Sequence, residues 1–271
     1  GNCVVFKPAE LVPGCSWTLA EILSRSGLPK GVFNLLIGPG SQVGQAITDS
    51  KLVRAVSFTG SVGVGRRLIA ACAQRQARVQ AEMGGKNPQV VLDDADLGVA
   101  VNAAVQGAYF STGQRCTASS RFIVTAGIHD AFVDAVHAKL QALKVDNALL
   151  PGTDIGPVVD ERQLAQNLQY VDIARQEGGE LVFGGDRVER ATPGFYQRPA
   201  LIVGTTNSMR ISREEVFGPV ANVVKVGDYD EALAVANDTE FGLSAGICTR
   251  SLKHATHFKR HSQAGMVMVN L

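Results

Sequence analysis

An α/β fold, with parallel strands covered by helices, is what this sequence predicts. Short aliphatic runs at 32–37, 53–58 and 90–92 alternate with segments of helical periodicity. Glycine and proline punctuate the joints, as in Gly38-Pro39-Gly40. A repeated strand–turn–helix order needs crossover connections, and those leave strands parallel and buried on both faces.

The elements follow in order. Residues 2–7 read as a strand. Leu19, Ile22 and Leu23 share one helical face, and Gly27-Leu28-Pro29 stops that helix. Strand 32–37 and its Gly38-Pro39-Gly40 turn lead to a helix over 42–48. Strand 53–58 runs into Thr59-Gly60-Ser61 and a helix through Ile69. A break falls at Gly84-Gly85-Lys86-Asn87-Pro88. Beyond it come strand 90–92, helix 96–110 with Asp94 or Asp96 as its cap, strand 122–125 and amphipathic helix 129–143. A long polar helix spans 160–177. Gly178-Gly179 and Gly184-Gly185 bracket a strand. Strands at 200–203 and 221–226, helix 229–237, strand 245–248, helix 252–261 and strand 265–271 complete the chain. Two α/β domains joined near residue 86 are expected, 1–86 and 87–271. Both termini read as interrupted strands, so both ends of the natural domain are expected to be missing.

Composition narrows the function. Hydrophobic residues are 45% and charged residues 19% of the 271, enough for a real core. A net charge of +1 with no basic run argues against nucleic acid or an acidic membrane as partner. No apolar stretch is long enough to span a bilayer, and no leader is visible. Five cysteines at irregular spacing argue for a reducing compartment, so a cytoplasmic location is expected. Without a C-x-x-C pair, no metal site is expected. His254, His257 and His261 share one helical face and read as a solvated basic face rather than a metal site.

Five segments carry chemistry. Cys116 follows a polar glycine turn in Ser111-Thr112-Gly113-Gln114-Arg115-Cys116. A loop cysteine beside backbone N–H groups and an arginine suits a reactive thiolate, while a small buried residue is the bland alternative. Glu82 ends a strand before two glycines. A half-buried carboxylate there suits a general base, and an edge-strand charge facing water is the alternative. Phe58-Thr59-Gly60-Ser61 is a strand and turn opening a helix, where phosphate binds or glycine merely packs. Lys7-Pro8-Ala9-Glu10 suits ribose hydroxyls or a simple helix-start turn. Glu214-Glu215-Val216-Phe217-Gly218-Pro219 reads alone as a loop.

Taken together and in this order, Lys-Pro-Ala-Glu, Phe-Thr-Gly-Ser, Glu-Met-Gly-Gly-Lys-Asn-Pro, Gly-Gln-Arg-Cys and Glu-Glu-Val-Phe-Gly-Pro-Val resemble the aldehyde dehydrogenase superfamily over essentially the whole chain. The resemblance implies a partial Rossmann-like cofactor domain followed by a catalytic thiol domain. It implies that Cys116 is the nucleophile and Glu82 the general base. Lys7 and Glu10 would hold the adenosine ribose, Thr59, Gly60 and Ser61 would line the pyrophosphate and nicotinamide side, and Glu215 with Phe217 would position the nicotinamide ribose. The reaction implied is NAD(P)-dependent oxidation of a small aldehyde. Cys116 forms a thiohemiacetal, loss of hydride leaves a thioester, and Glu82 deprotonates the hydrolytic water. The Cys116 N–H would be one oxyanion donor. The asparagine that supplies the second donor in the family, the upstream cofactor strands and the oligomerisation hairpin have no counterpart here. The parent protein is expected to be a homo-oligomer.

Arg115 stands where the family lines its substrate pocket, and arginine clamps carboxylates in two-pronged fashion. The run Gly-Gln-Arg-Cys-Thr-Ala-Ser-Ser-Arg looks most like 2-oxoglutarate semialdehyde dehydrogenases, so an anionic semialdehyde is the expected substrate. The alternative is that Arg115 turns outward or pairs with a structural carboxylate. Glu10 favours NAD over NADP, because a carboxylate repels a 2′-phosphate. Two rival functions remain: a cysteine hydrolase without nicotinamide, and an inactive fragment that packs or self-associates through exposed sheet edges.

Overall fold

The computed structural model describes all residues, Gly1–Leu271, and divides into two compact units, Gly1–Met83 and Gly84–Leu271.

The first unit holds two separate parallel strand pairs. β1 (Val4–Phe6) pairs with β2 (Phe33–Leu35), joined through α1 (Pro13–Arg25). Pro13 opens α1 because its missing N–H falls among groups that lack helical partners anyway. A wide helical turn at Gly40–Gly44, where the Val43 N–H bonds Pro39 O at 2.9 Å, precedes the short α2 (Gln45–Asp49). The expected helix over 42–48 is thus split, its first turn wound wider around two glycines. β3 (Ala55–Gly60) pairs with β4 (Arg78–Met83) across α3 (Val62–Gln74). Cys72 is the one apolar side chain of this unit that is fully enclosed, while Trp17, Ile22 and Leu52 stay exposed.

The second unit is organised by a seven-stranded sheet in the order β13-β12-β5-β6-β11-β10-β7. Its central strands are β5 (Pro88–Val91), β6 (Arg121–Thr125), β11 (Val220–Val226) and β10 (Ala200–Thr205), all parallel. β12 (Ser244–Cys248) and β13 (Met266–Val269) extend one edge in parallel. β7 (Glu180–Phe183) closes the other edge antiparallel to β10. Residues alternate between faces, as the pleat requires. Val91, Phe122, Val124, Ala221 and Val223 join α4 (Leu97–Tyr109) and α5 (His129–Gln141) in one cluster. Val90, Ile123, Val224 and Ile247 join α8 (Tyr229–Asn237) and α9 (Leu252–His261) in another. α6 (Glu161–Gln176) is polar, yet Leu164, Asn167, Val171 and Ala174 make a buried stripe at helical spacing.

Of the two candidate caps for α4, Asp96 serves, accepting from the Val99 N–H at 3.1 Å. Asp94 instead accepts from the Thr249 hydroxyl at 2.7 Å. α7 (Arg210–Arg213) and the hairpin of β8 (Arg187–Val188) with β9 (Tyr196–Gln197) are too short to leave a periodic signature in sequence.

Candidate active site

The first unit gathers two groups of expected residues. Half-buried Lys7 and exposed Glu10 follow β1, and both approach the Gly38-Pro39-Gly40 turn after β2. The Gly40 N–H donates to Glu10 Oε1 at 2.6 Å, and a Cβ on Gly40 would lie 3.6 Å from that oxygen and 4.0 Å from Lys7 Cε. The parallel β1–β2 pair brings both loops to the same strand ends, where open α/β sheets bind ligands.

The second group lies at the ends of β3 and β4, where Thr59 stands beside Glu82 in register. Ser61 is the N-cap residue of α3 by backbone geometry, yet its hydroxyl makes no capping bond. No acidic side chain sits in the first turn of α3, and nothing lies within 4 Å of a Cβ built on Gly63. Open N–H groups and a spare hydroxyl are a donor set suited to an anion. Glu82 is exposed rather than half-buried, accepting from Gln80 Nε2 at 3.3 Å, because β4 has a strand on one side only.

In the second unit the chain leaves α4 through a left-handed turn. Ser111, Thr112 and Gly113 have φ of 56°, 58° and 63°. A Cβ on Gly113 would collide with the Gly218 carbonyl, so glycine is required there. Thr112 holds its unfavourable conformation with a hydroxyl bond to Gly156 O at 3.2 Å. This turn sets Cys116 on an exposed loop.

Arg115 faces the end of α4 as well as the loop. Its Nη2 donates to the carbonyls of Gln106 and Gly107 at 2.6 and 3.1 Å, satisfying acceptors that the last helical turn leaves open. Its Nε is buried without a partner. This is a structural use of the side chain, as the alternative reading allowed, but on helix carbonyls instead of a carboxylate.

Glu215 is half-buried beside the Gly84-Gly85 turn. Its Oε1 accepts from the Gly85 N–H at 3.0 Å, and a Cβ on Gly84 would overlap the carboxylate. Burial pushes the Glu215 carboxyl above its ordinary range, against the opposing pull of the Gly85 N–H and Lys86. Glu214 turns the other way, to Arg210 at 2.8 and 3.0 Å and to the Tyr170 hydroxyl, and Arg210 holds its carboxyl below the usual range. Phe217 adopts φ of 60°, rare for an aromatic residue, and is partly exposed.

Two buried residues escaped sequence reasoning. Lys86 is enclosed, its Nζ without a hydrogen-bond partner, and burial with Arg121 nearby lowers it to about 7. Asn87, 2% exposed, bonds the Cys116 carbonyl at 2.8 Å. Their position between a double glycine and a proline was the available signal. The three histidines of α9 pack their rings while His257 and His261 stay exposed, in keeping with a solvated face. His254 lies over Tyr229 at 4.4 Å, His257 over His261 at 4.0 Å, and the Tyr229 hydroxyl meets His257 Nδ1 at 2.8 Å. No helix is long and apolar enough to cross a membrane.

Comparison with known proteins places this arrangement. The chain is 42% identical over 273 residues to an alpha-ketoglutaric semialdehyde dehydrogenase of Bacillus subtilis, covering all of this chain and 56% of that protein. It is 40% identical over 272 residues to a betaine aldehyde dehydrogenase of Mesorhizobium japonicum, again all of this chain and 56% of the relative. Among solved structures, a betaine aldehyde dehydrogenase of Staphylococcus aureus in complex with NAD+ superposes with a TM-score of 0.96 at 35% identity, over 99% of this chain and 54% of that one. The chain therefore spans a little over half the length of the relatives it matches. The aldehyde dehydrogenase family model matches residues 1–271, and the chain belongs to the aldehyde dehydrogenase family.

Proposed function

We propose that the protein carrying this chain oxidises a small aldehyde to its acid with NAD, using Cys116 as nucleophile and Glu82 as general base. The observation that carries this reading is the presentation of Cys116. The cysteine is exposed on a loop whose backbone is held from several sides, in a chain that matches the family throughout.

The donor sets in the first unit fit the cofactor. The uncapped Ser61 hydroxyl and open first turn of α3 suit its pyrophosphate. Glu10 beside Gly40 suits ribose hydroxyls. When bound, the oxidised nicotinamide supplies the hydride acceptor. Cys116 as thiolate attacks the aldehyde carbon, and its own N–H stabilises the oxygen that becomes negative. After hydride loss the acyl group remains on Cys116 as a thioester. Glu82 takes a proton from water, and the hydroxide releases the acid. Glu215 and Phe217 orient the nicotinamide ribose. Glu10 favours NAD over NADP, and equal catalytic efficiency with the two cofactors would overturn that preference.

The substrate class we infer is an anionic semialdehyde, with 2-oxoglutarate semialdehyde as the leading candidate. Arg115 beside the nucleophile supports it, as do the names of the relatives from Bacillus subtilis and Haloferax volcanii. The two carbonyl bonds of Arg115 Nη2 occupy one end of the guanidinium on α4, so substrate recognition would fall to its remaining N–H groups. Arg115→Leu is expected to reduce the preference for anionic over neutral aldehydes, and an unchanged preference would remove this assignment.

NADH formation from 2-oxoglutarate semialdehyde and NAD tests the whole reading. The full-length protein should turn over and its Cys116→Ala variant should not. The exposed apolar side chains of the first unit favour a second reading for the 271-residue chain by itself, self-association without activity. Size-exclusion chromatography at several concentrations separates a monomer from that outcome.

A further inference from the structure

The loop that carries Cys116 is held by a residue that does not belong to it. Asn87 lies immediately before β5, enclosed on all sides. All the polar atoms of its carboxamide are used. Nδ2 donates to Cys116 O at 2.8 Å and to Ala118 O at 3.0 Å. Oδ1 accepts from the Ser244 N–H on β12 at 3.1 Å. A buried amide with both N–H donors and its oxygen engaged resists rearrangement, since any alternative leaves a polar atom unpaired.

These bonds determine the orientation of the backbone around the sulfur. The Arg115 carbonyl accepts from the Ala118 N–H at 3.0 Å. In a planar trans peptide that directs the Cys116 N–H the opposite way. Asn87 holds the next peptide plane through Cys116 O. With both planes held, the direction of the Cys116 side chain and of its N–H are set together. Two neighbours make the approach feasible. A Cβ on Gly85 would lie 2.9 Å from Cys116 O and 2.7 Å from Asn87 Oδ1, closer than real contacts allow. Pro88 restricts Asn87 to extended backbone, which limits the directions its side chain can take.

We propose that Asn87 is a positioning residue for the nucleophile: its carboxamide, braced by the Ser244 N–H, fixes the peptide planes that aim Cys116 Sγ and the Cys116 N–H. This rests on the reading of Cys116 as nucleophile. A small misplacement of reacting groups costs about a hundredfold in rate, and cofactor binding does not depend on it.

The test uses the full-length protein with Asn87→Asp, which keeps the size and the acceptor but sets a carboxylate against two carbonyls. The expected result is a kcat lower by about a hundredfold with the KM for NAD within about twofold of the parent. Cys248, buried on β12, reports the fold and should stay protected from alkylation. A kcat within about threefold of the parent overturns the proposal, as does a loss expressed mainly in the KM for NAD. If Asn87→Asp unmasks Cys248, Asn87→Ser decides, because it removes the bridge without adding charge. Lost kcat with Cys248 protected supports positioning, and unmasked Cys248 in both variants shows a fold role instead and overturns it. Cys116→Ala, run in parallel, tests the underlying reading separately: full turnover in that variant defeats the nucleophile assignment whatever Asn87 does.

Discussion

At the scale of single residues, enclosed charge governs behaviour. Lys86 is the sharpest case, since burial lowers it to about 7 while the unfolded chain keeps it near 10.5. Between those values the unfolded state binds a proton that the folded state has lost. Stability therefore rises with pH across that window, by about 1.4 kcal/mol per unit from this group. Below pH 7 both states are protonated and the full burial cost remains. Lys86→Met should be at least as stable as the parent at pH 7, because an apolar side chain of similar length removes that cost. Urea unfolding of both proteins at pH 7 and 8.5 checks this, with the stability difference expected to shrink at the higher pH. A difference that does not change with pH would mean that Lys86 stays charged in the folded protein. Sequence alone marked Glu82 and Cys116 but neither Lys86 nor Asn87. Chemistry-bearing types in motifs are conspicuous, whereas enclosure of a lysine or amide depends on residues far away in the chain, such as Ser244 and Ala118.

At the scale of elements, the turn after α4 is the least forgiving segment. Three successive residues with positive φ, two of them not glycine, store strain that tertiary contacts must offset. Gly113→Ala adds both backbone strain and a collision with Gly218. It should destabilise the second unit by about 3 kcal/mol, measured by chemical unfolding. A loss below about 0.5 kcal/mol would show that the turn can relax. Arg115→Met removes two bonds to the last carbonyls of α4 and should cost about 1–2 kcal/mol, a readout independent of any effect on substrate. The main α-helices and sheet strands were legible in sequence because apolar spacing and glycine punctuation are local. α6 was read as polar because its buried stripe includes Asn167, satisfied by Gln163 and Gln197 at 2.8 and 2.9 Å. The left-handed turn was illegible, since Ser111 and Thr112 rarely adopt it and only contacts with Gly156 and Gly218 compel it.

At the scale of the molecule, the two units differ in what they bury. The second has three apolar clusters around a seven-stranded sheet. The first has two strand pairs and leaves Val4, Val5, Trp17, Leu19 and Ile22 more than 40% exposed. Two-stranded sheets are marginal without a packed face. Native-state hydrogen exchange of the 271-residue chain should therefore show amides of β1 to β4 exchanging through local opening. Amides of β5, β6 and β11 should exchange only on global unfolding. Equal protection in both sets would show that the first unit is stabilised by something other than its own core.

The sequence by itself determined the family, the alternation of strands and helices, the glycine turns, and which residues are the candidates for nucleophile and base. Each of these is written in local order, as residue type, spacing and period. Tertiary structure decided which polar groups are enclosed, which backbone conformations are forced, and what Arg115 and Asn87 hold. Those outcomes depend on atoms brought together from β5, β12 and the ends of α4, and burial and hydrogen-bond completion are properties of that assembly rather than of any segment.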